Sequence, residues 1–294
     1  MFQGSMVALI TPMHTDGSLD LKSLRNLVEW HIEAKTDAIV VAGTTGESAT
    51  LSADEQNKII TSVIKYAAGR IPVIAGTGTN ATDTTIKRTQ AAEKAGVDGC
   101  LVVTPYYNKP TQNGLYAHYK EIAASVSIPL ILYNVPSRTG CDLLPVTIAH
   151  LSVIKNIVGV KEATGKIERG AAILKLVNKD FALFSGDDAV AADLMLLGAK
   201  GVISVTANIV PEKMHALCKA ALSGDKELTE KLNAELMPLH TKLFVESNPI
   251  PTKWALNQMG LIPEGIRLPL QPLDEQYHQE LIDILHQTGA LQSI

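Results

Sequence analysis

The chain has 294 residues, of which 46% are hydrophobic and 19% charged, with a formal net charge of -4. That length suits one large α/β domain or a barrel with an appendage. With no basic tract, and no apolar run near the ~20 residues a membrane helix needs, nucleic acid and membrane are not expected partners.

The N-terminus, Met1-Phe2-Gln3-Gly4-Ser5, has no signal-peptide character and runs into an apolar strand pattern over 5–12. A helical period follows over 21–34, and then a second strand over 38–43. It ends in Gly43-Thr44-Thr45-Gly46-Glu47-Ser48, where two glycines flank two hydroxyls. Such a loop can turn its N–H groups into a nest for a carboxylate or phosphate, or form an ordinary turn. After a helix over 54–68, the strand over 72–76 ends in Gly76-Thr77-Gly78-Thr79-Asn80-Ala81. The spacing matches a dinucleotide fingerprint, but the next strand ends in Thr104-Pro105 and not in an acid. A tight turn before a helix over 83–95, capped near Thr82, is the better reading.

The fourth strand, 99–105, carries Cys100 as a core residue and ends in Tyr106-Tyr107-Asn108-Lys109-Pro110. Two adjacent tyrosines are costly to leave bare, so packing is expected for at least one, Tyr106 in particular. Cys100, Cys141 and Cys218 are an odd number without a CxxC pair, which fits a reducing cytoplasm. A helix over 115–126 leads to a strand over 129–135, which ends in Tyr133-Asn134-Val135-Pro136-Ser137-Arg138-Thr139-Gly140. Tyr133 could carry a proton, and Arg138 could clamp a carboxylate with its planar fork.

The sixth strand, 157–163, contains Ile157-Val158-Gly159-Val160-Lys161-Glu162-Ala163. Alternation sends Val158 and Val160 one way and Lys161 the other, beside apolar walls. Desolvation there favours a free amine, which can attack a ketone and form a Schiff base. The plainer alternative is a strand-end lysine paired with Glu162. The seventh strand, 181–186, ends in Ser185-Gly186-Asp187-Asp188, where an Asp reads as an N-cap and Gly186 permits close approach. The eighth spans 201–206.

Eight apolar strands alternating with helices predict a parallel (β/α)8 barrel, with an open doubly wound sheet as alternative. From 211 onward only helical patterns remain, over 214–221, 226–244, 250–259 and 274–285, punctuated by Pro238, Pro249, Pro251 and Pro263. A catalytic barrel over 1–224 and a helical bundle over 225–294 are therefore expected. The eight histidines are scattered, with no H-x-x-x-H or Cys–His cluster, so no metal or other cofactor is expected. An amine, a phenol, an anion nest and an arginine at strand ends are the inventory of imine chemistry on a keto acid.

The segments Gly43-Thr44-Thr45-Gly46-Glu47, Tyr133 to Gly140 and Val160-Lys161-Glu162-Ala163 resemble the dihydrodipicolinate synthase family of pyruvate-dependent class I aldolases, over essentially the whole chain. The resemblance implies condensation of pyruvate with L-aspartate 4-semialdehyde on the route to diaminopimelate and lysine. It implies that Lys161 forms the Schiff base, Tyr133 shuttles the proton, and Thr44 and Tyr107 complete a hydroxyl relay. Tyr107 would come from a neighbouring subunit of a homotetramer built as a dimer of dimers. Thr45 would hold the pyruvate carboxylate and Arg138 that of the semialdehyde, with Gly186 and Ile203 lining the pocket. The alternatives are an aldolase such as N-acetylneuraminate lyase, one acting on a 2-keto-3-deoxy sugar acid, or a barrel that only binds a keto acid. Many bacterial relatives bind lysine in an interface cleft that corresponds here to Ser48, Ala49, Ala53, Gln56, Asn80, Thr84 and Tyr106. Ala53, Gln56 and Thr84 replace two histidines and a glutamate, so weak or absent inhibition by lysine is expected.

Overall fold

Short runs of Val, Ile and Leu form eight parallel strands in the computed structural model, which describes residues 2–291. They are β1 (Gly4–Ala8), β2 (Ala38–Val41), β3 (Val73–Gly76), β4 (Gly99–Val103), β5 (Leu130–Asn134), β6 (Ile157–Glu162), β7 (Ala182–Ser185) and β8 (Gly201–Ser204). Each pairs with the next in chain order, and β8 pairs back to β1, so the barrel is closed and the open-sheet alternative falls. The intervening helices are α1 (Leu21–Glu33), α2 (Ala53–Ala67), α3 (Thr82–Ala95), α4 (Gln112–Ala124), α5 (Pro136–Thr139), α6 (Pro145–Leu151), α7 (Ile167–Leu176) and α8 (Ala191–Leu196). After β8 come α9 (Pro211–Ser223), α10 (Lys226–Lys242), α11 (Ile250–Gln258) and α12 (His278–Gln287). Among the described residues, no helix is long and apolar enough to cross a membrane.

Alternation along the strands builds two apolar layers. Met6, Val40, Ile74, Leu101, Ile131 and Phe184 fill the barrel. Val7, Ile39, Val41, Val102, Leu132 and Val160 face outward, in one cluster with helix residues such as Leu24, Ile59 and Leu115. Burial of each such large side chain contributes about 1.5–3 kcal/mol. Except in β3, the ladders stop short of the predicted C-terminal strand ends. Leu9 and Ile10, for example, lie beyond the β1 ladder yet are buried, so their apolar character reflects core loops and not pairing.

Two local expectations are corrected. Leu130 pairs with Ile157 but Ile131 pairs with Gly159, so Val158 is an extra residue in a β-bulge. Val158 therefore packs against the inner cluster while Val160 lies in the outer one, and the two do not share a face. Glycine is required beside the bulge, because a Cβ at Gly159 would lie 2.5 Å from the Ala182 carbonyl oxygen. The N-cap of α3 is Ala81, with no side-chain cap bond; the preceding turn is tied instead by Thr79 and Thr85, whose hydroxyls lie 3.0 Å apart. Pro238 sits inside α10, within the helical pattern read over 226–244.

One tie between the C-terminal segment and the barrel is pH-sensitive. Arg267 donates twice to the Glu55 carboxylate, from Nη1 at 2.8 Å and Nη2 at 2.5 Å. These bonds hold the Glu55 carboxyl down at about 2, against its burial. A carboxyl depressed on folding stabilises above its unfolded value, near 4.3, and that contribution disappears as pH falls toward 2. The expected result is that Glu55→Gln narrows the loss of urea stability between pH 7 and pH 3. A loss equal to that of the wild type would show that the pair contributes nothing.

Candidate active site

The strand register places the central pair. Tyr133 on β5 is the register partner of Lys161 on β6, and both side chains point into the barrel. Lys161 is 5% exposed, and its Nζ lies 4.4 Å from the centroid of the Tyr133 ring. The room for it comes from Gly186: a Cβ there would stand 2.9 Å from Lys161 Cε and 2.6 Å from Ala163 Cβ. Glu162 is not the partner of Lys161. Its carboxylate accepts from Asn134 Nδ2 at 3.0 Å and from the Thr164 N–H at 2.8 Å. Burial pushes the Glu162 carboxyl up, against those hydrogen bonds. Asn134 Nδ2 also donates to Asp142, which pairs with Arg169 at 2.7 Å. This network fastens the ends of β5 and β6 one residue beyond Tyr133 and Lys161.

The amine opens into a cavity of about 420 Å³ at the C-terminal ends of the strands, where barrel chemistry is built. Thr44, Thr45, Tyr133, Arg138, Lys161 and Gly186 all line it, so six residues singled out in the sequence meet in one place. Ile203 is buried in the inner apolar layer with Tyr133 and Phe184 and does not reach the cavity wall. Tyr107 does not line the cavity of its own chain and is 88% exposed. Tyr106 is 41% exposed, so within one chain the expected packing of that ring is not found.

In the loop after β2, Thr45 is braced from two sides. Its Oγ1 accepts from Asn248 Nδ2 at 2.8 Å. Two residues on, Glu47 stands in the left-handed region at φ 56° and makes a buried ion pair with Lys253. Glu47 also accepts from the Arg267 N–H at 3.2 Å. Burial lowers the Lys253 ammonium, and the Glu47 charge opposes that shift. Arg138 Nη2 donates to the Asn248 carbonyl oxygen at 3.2 Å. Asp187 is the expected cap: its carboxylate accepts from the Ala189 N–H at 3.0 Å. Burial pushes that carboxyl up.

The sequence reading missed the wall supplied from beyond the barrel. His240, Thr241, Phe244 and Asn248 line the cavity together with Ala189 and Val205. Burial lowers the His240 imidazole, with the Asp188 charge acting against it. The one available signal was Asn248-Pro249, a dipeptide typical of loop corners, which carries no indication of what the asparagine touches. At one position of the lysine cleft that the resemblance implies, Gln56 is buried and its Nε2 donates to the Gly76 carbonyl at 2.7 Å, so that donor is turned inward.

A model of the dihydrodipicolinate synthetase family matches residues 1–288. The chain is 57% identical over 291 residues to the 4-hydroxy-tetrahydrodipicolinate synthase of Methylococcus capsulatus, covering 99% of this chain and 100% of that one. It is 56% identical over 291 residues, with the same coverage, to the enzyme of that name from Pseudomonas aeruginosa. Among solved structures, the chloride-inhibited dihydrodipicolinate synthase from Acinetobacter baumannii, complexed with pyruvate, matches with a TM-score of 0.98 at 55% identity. That match covers 99% of this chain and 100% of the other.

Proposed function

The chain belongs to the dihydrodipicolinate synthetase family, and on that premise we propose that it joins pyruvate to L-aspartate 4-semialdehyde through an imine on Lys161. It is a lyase of diaminopimelate and lysine biosynthesis, making 4-hydroxy-tetrahydrodipicolinate. The observation that carries the reading is the buried Lys161 amine, 4.4 Å from the Tyr133 ring centroid, at the wall of a cavity that also presents Thr45 and Arg138. Both reported relatives carry the synthase name, against the sugar-acid aldolase alternatives.

The chemistry follows from those groups. The Lys161 amine adds to the pyruvate ketone, and loss of one water gives an iminium. The iminium draws electrons from the methyl group, so removal of a methyl proton leaves an enamine nucleophile. The enamine carbon bonds to the aldehyde carbon, and the aldehyde oxygen takes up a proton. The amino group of the second substrate then attacks the imine carbon, closes the ring and releases Lys161. Tyr133 moves these protons, with Thr44 and a partner's tyrosine 107 as its relay. Thr45 binds the pyruvate carboxylate, Arg138 binds that of the semialdehyde, and Ile203 supports the floor from within the barrel. The working assembly is a homotetramer, a dimer of dimers; the bare Tyr107 ring supports a contact between chains. The segment from 225 onward is a helical unit that closes the catalytic barrel.

The test is to supply pyruvate with L-aspartate 4-semialdehyde, or with a sugar aldehyde, and to identify the product. Formation of the cyclic amino-acid product only with the semialdehyde is expected; turnover of the sugar aldehyde instead would overturn the assignment.

Inhibition by lysine is expected to be weak or absent. A hydrogen bond to a charged group contributes roughly 1.5–3 kcal/mol against about 1 for a neutral one, so Thr84 in place of a carboxylate costs about tenfold in affinity. Gln56 Nε2 already donates to the Gly76 carbonyl, so one of its two N–H groups is committed inward and is not free to replace an imidazole. Initial rates against lysine at saturating pyruvate check this, and half-inhibition at submillimolar lysine would contradict it.

A further inference from the structure

Asn248 touches both groups assigned to substrate carboxylates. Its side chain reaches Thr45, and its backbone carbonyl accepts from Arg138. It is 6% exposed, and it sits just before α11. Thr252 Oγ1 lies 3.5 Å from Asn248 Oδ1, a long contact that favours the same amide orientation. With Oδ1 facing the Thr252 hydroxyl, Nδ2 is the atom facing Thr45.

The consequence lies in the proton count at Thr45. A hydroxyl has one proton and two lone pairs. Asn248 Nδ2–H occupies a lone pair of Thr45 Oγ1 at 2.8 Å. A donor on that side cannot also be served by the hydroxyl proton, so the Thr45 O–H is left to point elsewhere, and Thr45 lines the cavity. The donors run in one direction, Thr252 to Asn248 and Asn248 to Thr45, which leaves the Thr45 proton for an acceptor in the cavity. Successive donors in a chain polarise one another, which strengthens the last bond.

We propose that Asn248 is a positioning residue that sets the Thr45 hydroxyl as a donor toward the pyruvate carboxylate. It acts through Thr45 and does not touch the reacting atoms. This inference rests on the proposed role of Thr45 in holding pyruvate. It separates the two faces of Asn248: side-chain replacement breaks the bond to Thr45, whereas the backbone carbonyl that accepts from Arg138 remains in every variant.

The experiment is borohydride capture of pyruvate on Lys161 in the full-length protein, read as the pyruvate concentration giving half-maximal capture. Asn248→Ala is expected to raise that concentration roughly three- to tenfold, the effect of one weakened bond to a charged group. Thr45→Val should raise it at least as much. Because Asn248 acts through Thr45, adding Asn248→Ala to Thr45→Val should change it by less than about twofold further. In the same variants KM for the semialdehyde should stay within about twofold of wild type, a split that general loosening of the site would not produce. Asn248→Asp keeps the shape and replaces the donor by an acceptor, so it should weaken pyruvate at least as much as Asn248→Ala. It also serves if the alanine variant does not fold. Additive effects of the two substitutions, or a rise in semialdehyde KM with pyruvate capture unchanged, would overturn the inference. No capture on Lys161 in the wild type would instead overturn the reading it rests on; normal wild-type capture with unaltered Asn248 variants would overturn the inference alone.

Discussion

Tyr133→Phe is expected to slow turnover by about 10²–10⁴-fold, the range for removing a general acid–base group, while the fold is kept. The ring belongs to the inner apolar layer of the barrel, and phenylalanine preserves that packing. What is lost is the phenolic oxygen of the ring whose centroid lies 4.4 Å from the Lys161 amine. Proton transfer is needed at several steps, from loss of water at the imine to removal of the methyl proton. Rates of borohydride capture by pyruvate should therefore fall together with kcat. Semialdehyde binding at Arg138 should be little altered, since Arg138 is held through the Asn248 carbonyl and not through Tyr133. The checks are kcat, the rate of capture on Lys161, and circular dichroism. A loss below about tenfold with native dichroism would remove Tyr133 from the proton path.

The parts of this molecule legible in its sequence are those set by short-range rules. Each of the eight strands is an apolar run between turn residues, and burial on both faces enforces that composition. Lys161 stood out because a charged residue ends such a run, and its register partner Tyr133 ends the preceding strand. Strand ends were overrun, since core loops such as the one carrying Leu9 and Ile10 are apolar too. The bulge at Val158 was invisible because it depends on where Leu130 and Ile131 pair across the ladder. Asn248 was hidden for a deeper reason. Its contact with Thr45 spans 203 positions and its contact with Arg138 spans 110. Neither has a spacing rule, because barrel closure and the path of the C-terminal helices create both.

Mixing Tyr107→Phe chains with Lys161→Ala chains, each inactive alone, is expected to restore part of the activity. Tyr107 follows β4 in a loop whose backbone is pinned, with its N–H donating to the Thr139 carbonyl at 3.2 Å and φ at 75°. A left-handed backbone at a tyrosine is unfavourable, and the ring it presents is 88% exposed. A loop held in that way and bearing a bare aromatic ring is suited to meet a surface outside its own chain. In a two-fold symmetric pair each chain would lend its tyrosine to the other's cavity. A hybrid pair then has one cavity with Lys161 intact and served by the tyrosine of the Lys161→Ala chain. Its other cavity lacks the amine and is dead. At equal mixing with random exchange, about half the pairs are hybrids with one working site of two, so recovery of about a quarter of wild-type activity is expected. Activity should rise with time as chains exchange, and size-exclusion chromatography with mass spectrometry should show hybrids forming in step. Hybrids without recovered activity would mean that Tyr107 serves its own chain, through a movement of the loop into the cavity.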